Sequence, residues 1–120
     1  MLSKKDIVQM IDHSLLKPNA TYADIEKACE ECREYNFKTL TLNSANVAMG
    51  ADLLKGTDIG ISACIGFPLG AMSTEAKVFE TKDVIKNGAT EIDMVMNIGA
   101  FLSKDYQKVK DDINAVVKAA

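Results

Sequence analysis

At 120 residues the chain is long enough for one domain and too short for two. Its 48% hydrophobic and 26% charged content is that of an ordinary globular protein, and a net charge of -3 with no lysine or arginine stripe argues against a nucleic-acid surface. No apolar run reaches the length of a membrane span, Met1 to Asp6 lacks the core of a signal peptide, and three cysteines without framework spacing set a cytoplasmic expectation.

Ser3-Lys4-Lys5-Asp6 predicts a short helix opened by a capping box, in which hydroxyl and carboxylate satisfy orphan amides. A strand follows over Ile11 to Leu16, closed by Lys17-Pro18 because proline cannot continue a ladder. Thr21-Tyr22-Ala23-Asp24 opens a helix to about Tyr35, with Ile25, Ala28, Cys29, Cys32 and Tyr35 on one face and Asn36 as a left-handed stop. Phe37 to Leu42 reads as a second strand. Ser44 is expected to cap a helix to about Leu54, with Val47, Ala48, Ala51 and Leu54 inward. Ile59 to Ile65 is a third strand and Gly66 to Gly70 the loop behind it. Ser73-Thr74-Glu75 starts a helix ending at Asn87-Gly88, followed by a buried strand over Glu91 to Asn97. A last helix runs from about Asp105 to Ala119, with Tyr106, Val109, Ile113, Val116 and Val117 on one stripe. Strand and helix thus alternate four times, at about 25–30 residues per unit, as βα units do.

Several groups invite chemistry. Asp93 lies in an apolar strand, where a carboxylate is costly unless paired or used, so it is a candidate proton-transfer group; the competing reading is a strand-end carboxylate paired with a lysine. Lys17, at the mouth of the first strand, is the one lysine expected near such a site, although an amine in water stays protonated and is a poor nucleophile. Cys29 and Cys32 sit mid-helix on the apolar face with no second pair, and His13 is the only histidine, so they read as core thiols rather than as a metal site. Asp12-His13-Ser14 holds the residue types of a hydrolase triad, but neighbours on a strand point to opposite faces and cannot form the relay. The loop after the third strand has no phosphate-binding fingerprint and is expected to shape the mouth of the fold.

Three segments carry a family resemblance: Ile11-Asp12-His13-Ser14-Leu15-Leu16-Lys17-Pro18, Ile65-Gly66-Phe67-Pro68-Leu69-Gly70-Ala71, and Asn87-Gly88-Ala89 with Glu91 to Ala100. In this order and spacing they resemble deoxyribose-phosphate aldolase over nearly the whole chain. The resemblance implies an α/β fold of the (β/α)₈ TIM-barrel family. A complete barrel needs about 250 residues, so this chain would supply the first four βα units and a short N-terminal helix as one partial domain, residues 1–120, with its site at the strand C-termini.

The implied reaction is reversible cleavage of 2-deoxy-D-ribose 5-phosphate to acetaldehyde and D-glyceraldehyde 3-phosphate. It would run through a lysine Schiff base without metal or cofactor. Asp93 matches the family's proton donor and acceptor. Asp12 would support it, either by holding lysines through charge or as a structural acceptor. Thr41 and Lys17 fall near the substrate. Thr41 stands where the family shows a cysteine, whose role therefore does not carry over. The Schiff-base lysine and the phosphate loops belong to the family's second half.

Half a barrel has two open sheet edges and an uncovered inner face, which favour association. Expected partners are therefore a phosphorylated sugar, a second copy or a complementary half-barrel, with neither nucleic acid nor membrane. A non-catalytic half-barrel interaction module and an open flavodoxin-like ligand-binding domain are the alternatives.

Overall fold

The computed structural model describes all 120 residues. The first two helices begin where the sequence offers a cap. Helix α1 (Lys4–Val8) is opened by Ser3 and α2 (Tyr22–Tyr35) by Thr21, both with complete capping boxes, and Asn36 ends α2 at φ 54. Between them lies β1 (Asp12–Leu15). The chain continues through β2 (Thr39–Asn43), α3 (Val47–Leu53), β3 (Gly60–Ile65), α4 (Thr74–Lys86), β4 (Glu91–Met94), α5 (Ile98–Leu102) and α6 (Tyr106–Ala119).

The four strands form one parallel sheet in chain order, β1-β2-β3-β4. Register assigns every side chain to a face. Leu40 pairs with His13 and Ile61, and Leu42 with Leu15 and Ala63; this row continues to Ile92. Leu40, Leu42, Ile61, Ala63 and Ile65 pack against Ile25, Cys29 and Cys32 of α2, Val47 at the start of α3 and Val84 of α4. At roughly 1.5–3 kcal/mol per fully buried aliphatic side chain, this sheet–helix layer is the main stabilising term. The opposite, inner face is polar: Asp12 and Ser14, then Thr39, Thr41 and Asn43, then Ser62 and Cys64, then Glu91 and Asp93.

Thr90 pins the entry of β4. Its backbone N–H donates to the Ile61 carbonyl at 2.8 Å, and its hydroxyl accepts from the Ile61 N–H at 3.1 Å. Gly60 is required opposite it, since a Cβ there would lie 2.6 Å from the Thr90 hydroxyl.

Some expectations need correction. Ser44 does not cap α3; Ser44–Asn46 is a 3₁₀ turn and neither Asn43 nor Asn46 makes a side-chain cap, so the helix starts at Val47 without one. Ala48 is exposed, whereas Val47, Ala51 and Leu54 turn to the core as expected, and Gly50 joins them against Leu42 and Ile61. Tyr35 is also exposed, lying over Phe37 with ring centroids 5.6 Å apart. Tyr106, Ile113 and Val117 of the expected apolar stripe are exposed too, leaving Val109 and Val116 buried.

The last strand is four residues rather than seven, and it is an edge. Beside it, a cavity of about 440 Å³ opens between Ile85, Ile92, Met94, Ile113 and Val117.

Candidate active site

The polar inner face is arranged in layers along the strands. Asp12 lies level with Thr39 and Gly60, Thr41 with Ser14, Ser62 and Glu91, and Asp93 with Asn43 and Cys64. Asp93 therefore occupies the C-terminal layer and Asp12 the N-terminal one. They stand four residues apart along the strand direction, about 13 Å at about 3.3 Å per residue. The fold does not bring these two acids together.

Asp93 is exposed, not buried as its apolar flanks predict. The run Glu91 to Asn97 resembles a central strand, but β4 has only one paired edge, so its inward side chains lack cover. Nor is it paired with a lysine: the three ion pairs are His13–Glu31, Lys27–Glu31 and Lys77–Asp112. Its register partner on β3 is Cys64, whose thiol burial pushes up to about 11, with the Asp93 and Glu80 charges adding to the rise.

Asp12 accepts a hydrogen bond from the buried Thr39 hydroxyl at 2.7 Å. Thr41 is itself buried, in the middle layer. Lys17 is exposed beyond β1, at a cavity of about 440 Å³ that it shares with Asn43, Asn46, Phe67 and Pro68. This mouth is completed by the Gly66–Gly70 loop, where Gly66 and Gly70 have φ of 66 and 63 and Gly70 donates to the Gly66 carbonyl at 2.7 Å.

His13 faces the helices. Its Nε2 lies 2.9 Å from Glu31 Oε2, and its ring stacks on Phe37 at 5.0 Å, so no triad forms with Asp12 and Ser14. Cys29 and Cys32 are free and buried; burial raises both thiols, that of Cys32 to about 12. No group of three or more histidine, cysteine or acidic side chains is placed to hold a metal ion.

Two polar anchors escape the sequence reading. Lys77 and Asp112 form a fully enclosed ion pair at 2.6 Å between α4 and α6. Glu80 accepts from the Gly66 backbone N–H at 2.8 Å. The signal for the pair is present: Lys77 lies in helical phase with buried Thr81 and Val84, and Asp112 with buried Val109 and Val116. An ion on the apolar stripe of each of two long helices points to a partner across their interface.

No protein-family model matches the chain. Curated relatives match it closely. Deoxyribose-phosphate aldolase of Clostridium perfringens is 52% identical over 99% of this chain, and that of Halalkalibacterium halodurans 55% over 97%. The chain belongs to the deoxyribose-phosphate aldolase family. It spans about half the length of these relatives, 53% and 52% respectively. Solved structures agree. A crystal structure from Coccidioides immitis, provisionally named a deoxyribose-phosphate aldolase, superimposes with a TM-score of 0.95 at 40% identity, over 99% of this chain and 47% of that one. The tetrameric deoxyribose phosphate aldolase of Aeropyrum pernix gives 0.87 at 31%, over 97% and 48%. The four parallel βα units are thus half of the TIM barrel of this class I aldolase family.

Proposed function

We propose that this chain forms the proton-transfer wall of a deoxyribose-phosphate aldolase site. The reaction is the reversible cleavage of 2-deoxy-D-ribose 5-phosphate into acetaldehyde and D-glyceraldehyde 3-phosphate. A lysine amine attacks the carbonyl, and the protonated imine then accepts the electron pair released as the carbon–carbon bond breaks. Asp93 is the group that moves protons to and from the carbinolamine and enamine. The observation that carries this reading is its place on the inner face, in the layer nearest the strand C-termini, where barrel enzymes put their chemistry.

Asp12 has a supporting role at the floor of the barrel, held by Thr39. Thr41 lines the wall between the two acids, and Lys17 approaches the substrate from the mouth. None of the inner-face strand positions is a lysine or arginine, while three are carboxylates, so the Schiff-base amine comes from the segment that closes this face. That segment is a complementary half-barrel, and the complete enzyme works in the cytoplasm as a homo-oligomer.

A trapping experiment tests this. Acetaldehyde with borohydride should leave no reduced adduct on a lysine of the 120-residue chain alone. A complete barrel containing these residues should give a lysine adduct and cleave the sugar phosphate. A complete barrel that does neither would overturn the proposal.

One observation favours a second reading, a non-catalytic interaction module. The β4 edge and its apolar cavity are suited to receive a partner regardless of chemistry. Association of the chain with a partner that brings no lysine to the inner face, and no turnover, would select it.

A further inference from the structure

Two ionisable side chains of α4 turn toward the sheet and have no part in the chemistry above. Lys77 is fully enclosed. Its Nζ donates to the Val95 carbonyl at 3.0 Å and to Asp112 Oδ2 at 2.6 Å, and Asp112 Oδ1 accepts from the Thr74 hydroxyl at 2.8 Å. One turn along the helix, Glu80 holds the Gly66 N–H. Lys77 therefore grips the backbone just past β4, and Glu80 the backbone just past β3.

A buried ion pair is a poor device for stability, since apolar side chains of similar volume join two helices at least as well. What they cannot do is donate to a strand-end carbonyl. The Val95 N–H already donates to the Ile65 carbonyl at 2.9 Å, so the Lys77 bond fixes the residue from its other side. Gly70 closes on the same segment; a Cβ there would sit 2.1 Å from the Met96 carbonyl oxygen. In this structure the outer edge of β4 has no ladder partner, and the grip at Val95 opposes fraying of its end.

We propose that Lys77, with Asp112 as counter-ion, and Glu80 are positioning residues. They lock the C-terminal ends of β4 and β3 and thereby set the direction in which the Asp93 carboxylate projects beside Cys64. The functional importance of this device rests on the role proposed for Asp93; its physical operation does not.

The test is the double variant Lys77→Met/Asp112→Leu, which leaves no unpaired charge inside and removes the bond to Val95. The amide of Val95, which donates to the Ile65 carbonyl, should exchange with solvent about tenfold or more faster, while core amides of Leu42 and Ile61 stay within about threefold of the parent. Uniform acceleration across the chain would mean a merely structural pair and would overturn the proposal, as would unchanged exchange at Val95.

Glu80→Ala leaves the ion pair intact and should speed exchange at Gly66 and Gly70 alone. No change there overturns the proposal whatever the first variant does. None of these measurements reads turnover, so a catalytically unimportant Asp93 would leave them standing.

Discussion

Asp93 and Asp12 share one face of the sheet yet have different surroundings: one is exposed at the mouth, the other accepts a hydrogen bond from the Thr39 hydroxyl. In a complete barrel, Asp93→Asn should lower turnover by about 10²–10⁴-fold, the usual worth of a general acid–base group. Steady-state cleavage assays check this, and near-normal turnover would remove the role. Cys32 offers an independent prediction. Its thiol is raised from 9.0 to about 12, chiefly by burial, so the folded protein keeps the proton where the unfolded chain releases it. The stability this contributes is fully present below pH 9 and is lost progressively as pH rises from 9 toward 12. Urea titrations across that window should show a falling midpoint, with a shallower fall in Cys32→Ala. The opposite sign holds for Asp24, whose carboxylate is held below 3.8 by the Thr21 backbone N–H and hydroxyl. Its contribution is present above 3.8 and disappears as pH falls through the lowered value, so carboxyl NMR should place its midpoint below that of an unstructured aspartate.

At the scale of elements, legibility followed locality. The capping boxes at Ser3 and Thr21 are readable because the residues that satisfy each other lie three positions apart. Ser44 misleads because the same residue type also suits a 3₁₀ turn, and the choice is made by packing of Val47 and Gly50 rather than by a cap. Asp93 stood out as an acid in an apolar strand and as a match to the family's motif, whereas its exposure was not legible, because edge or centre is a property of the whole sheet. Lys77 and Asp112, 35 residues apart, illustrate the same limit. The Gly66–Gly70 loop permits a direct check. Gly70 has φ 63 and lies against the Met96 carbonyl, so Gly70→Ala suffers both backbone strain and a clash with main chain that cannot rotate away. It should cost upwards of about 2 kcal/mol in chemical denaturation, more than the roughly 1 kcal/mol typical of point substitutions.

The molecule as a whole exposes what a closed barrel would cover. Ile113 and Val117 of α6 line the open cavity beside β4, and β1 and β4 both present unpaired edges. The isolated chain should therefore self-associate, with a sedimentation coefficient that rises with concentration. Ile113→Lys should weaken that association without unfolding the chain, because this side chain lies outside the buried core. An unchanged sedimentation profile would place the sticky surface elsewhere. Thr90 has a reach that its modest size conceals. A pleated ribbon offers only two ways to present its side chains, and sliding by one position exchanges them wholesale. By clasping both polar groups of Ile61, this threonine selects between those two states three residues before Asp93 is reached. Whether that acid faces the inside of the sheet or the helices is thus decided at the opposite end of the ribbon.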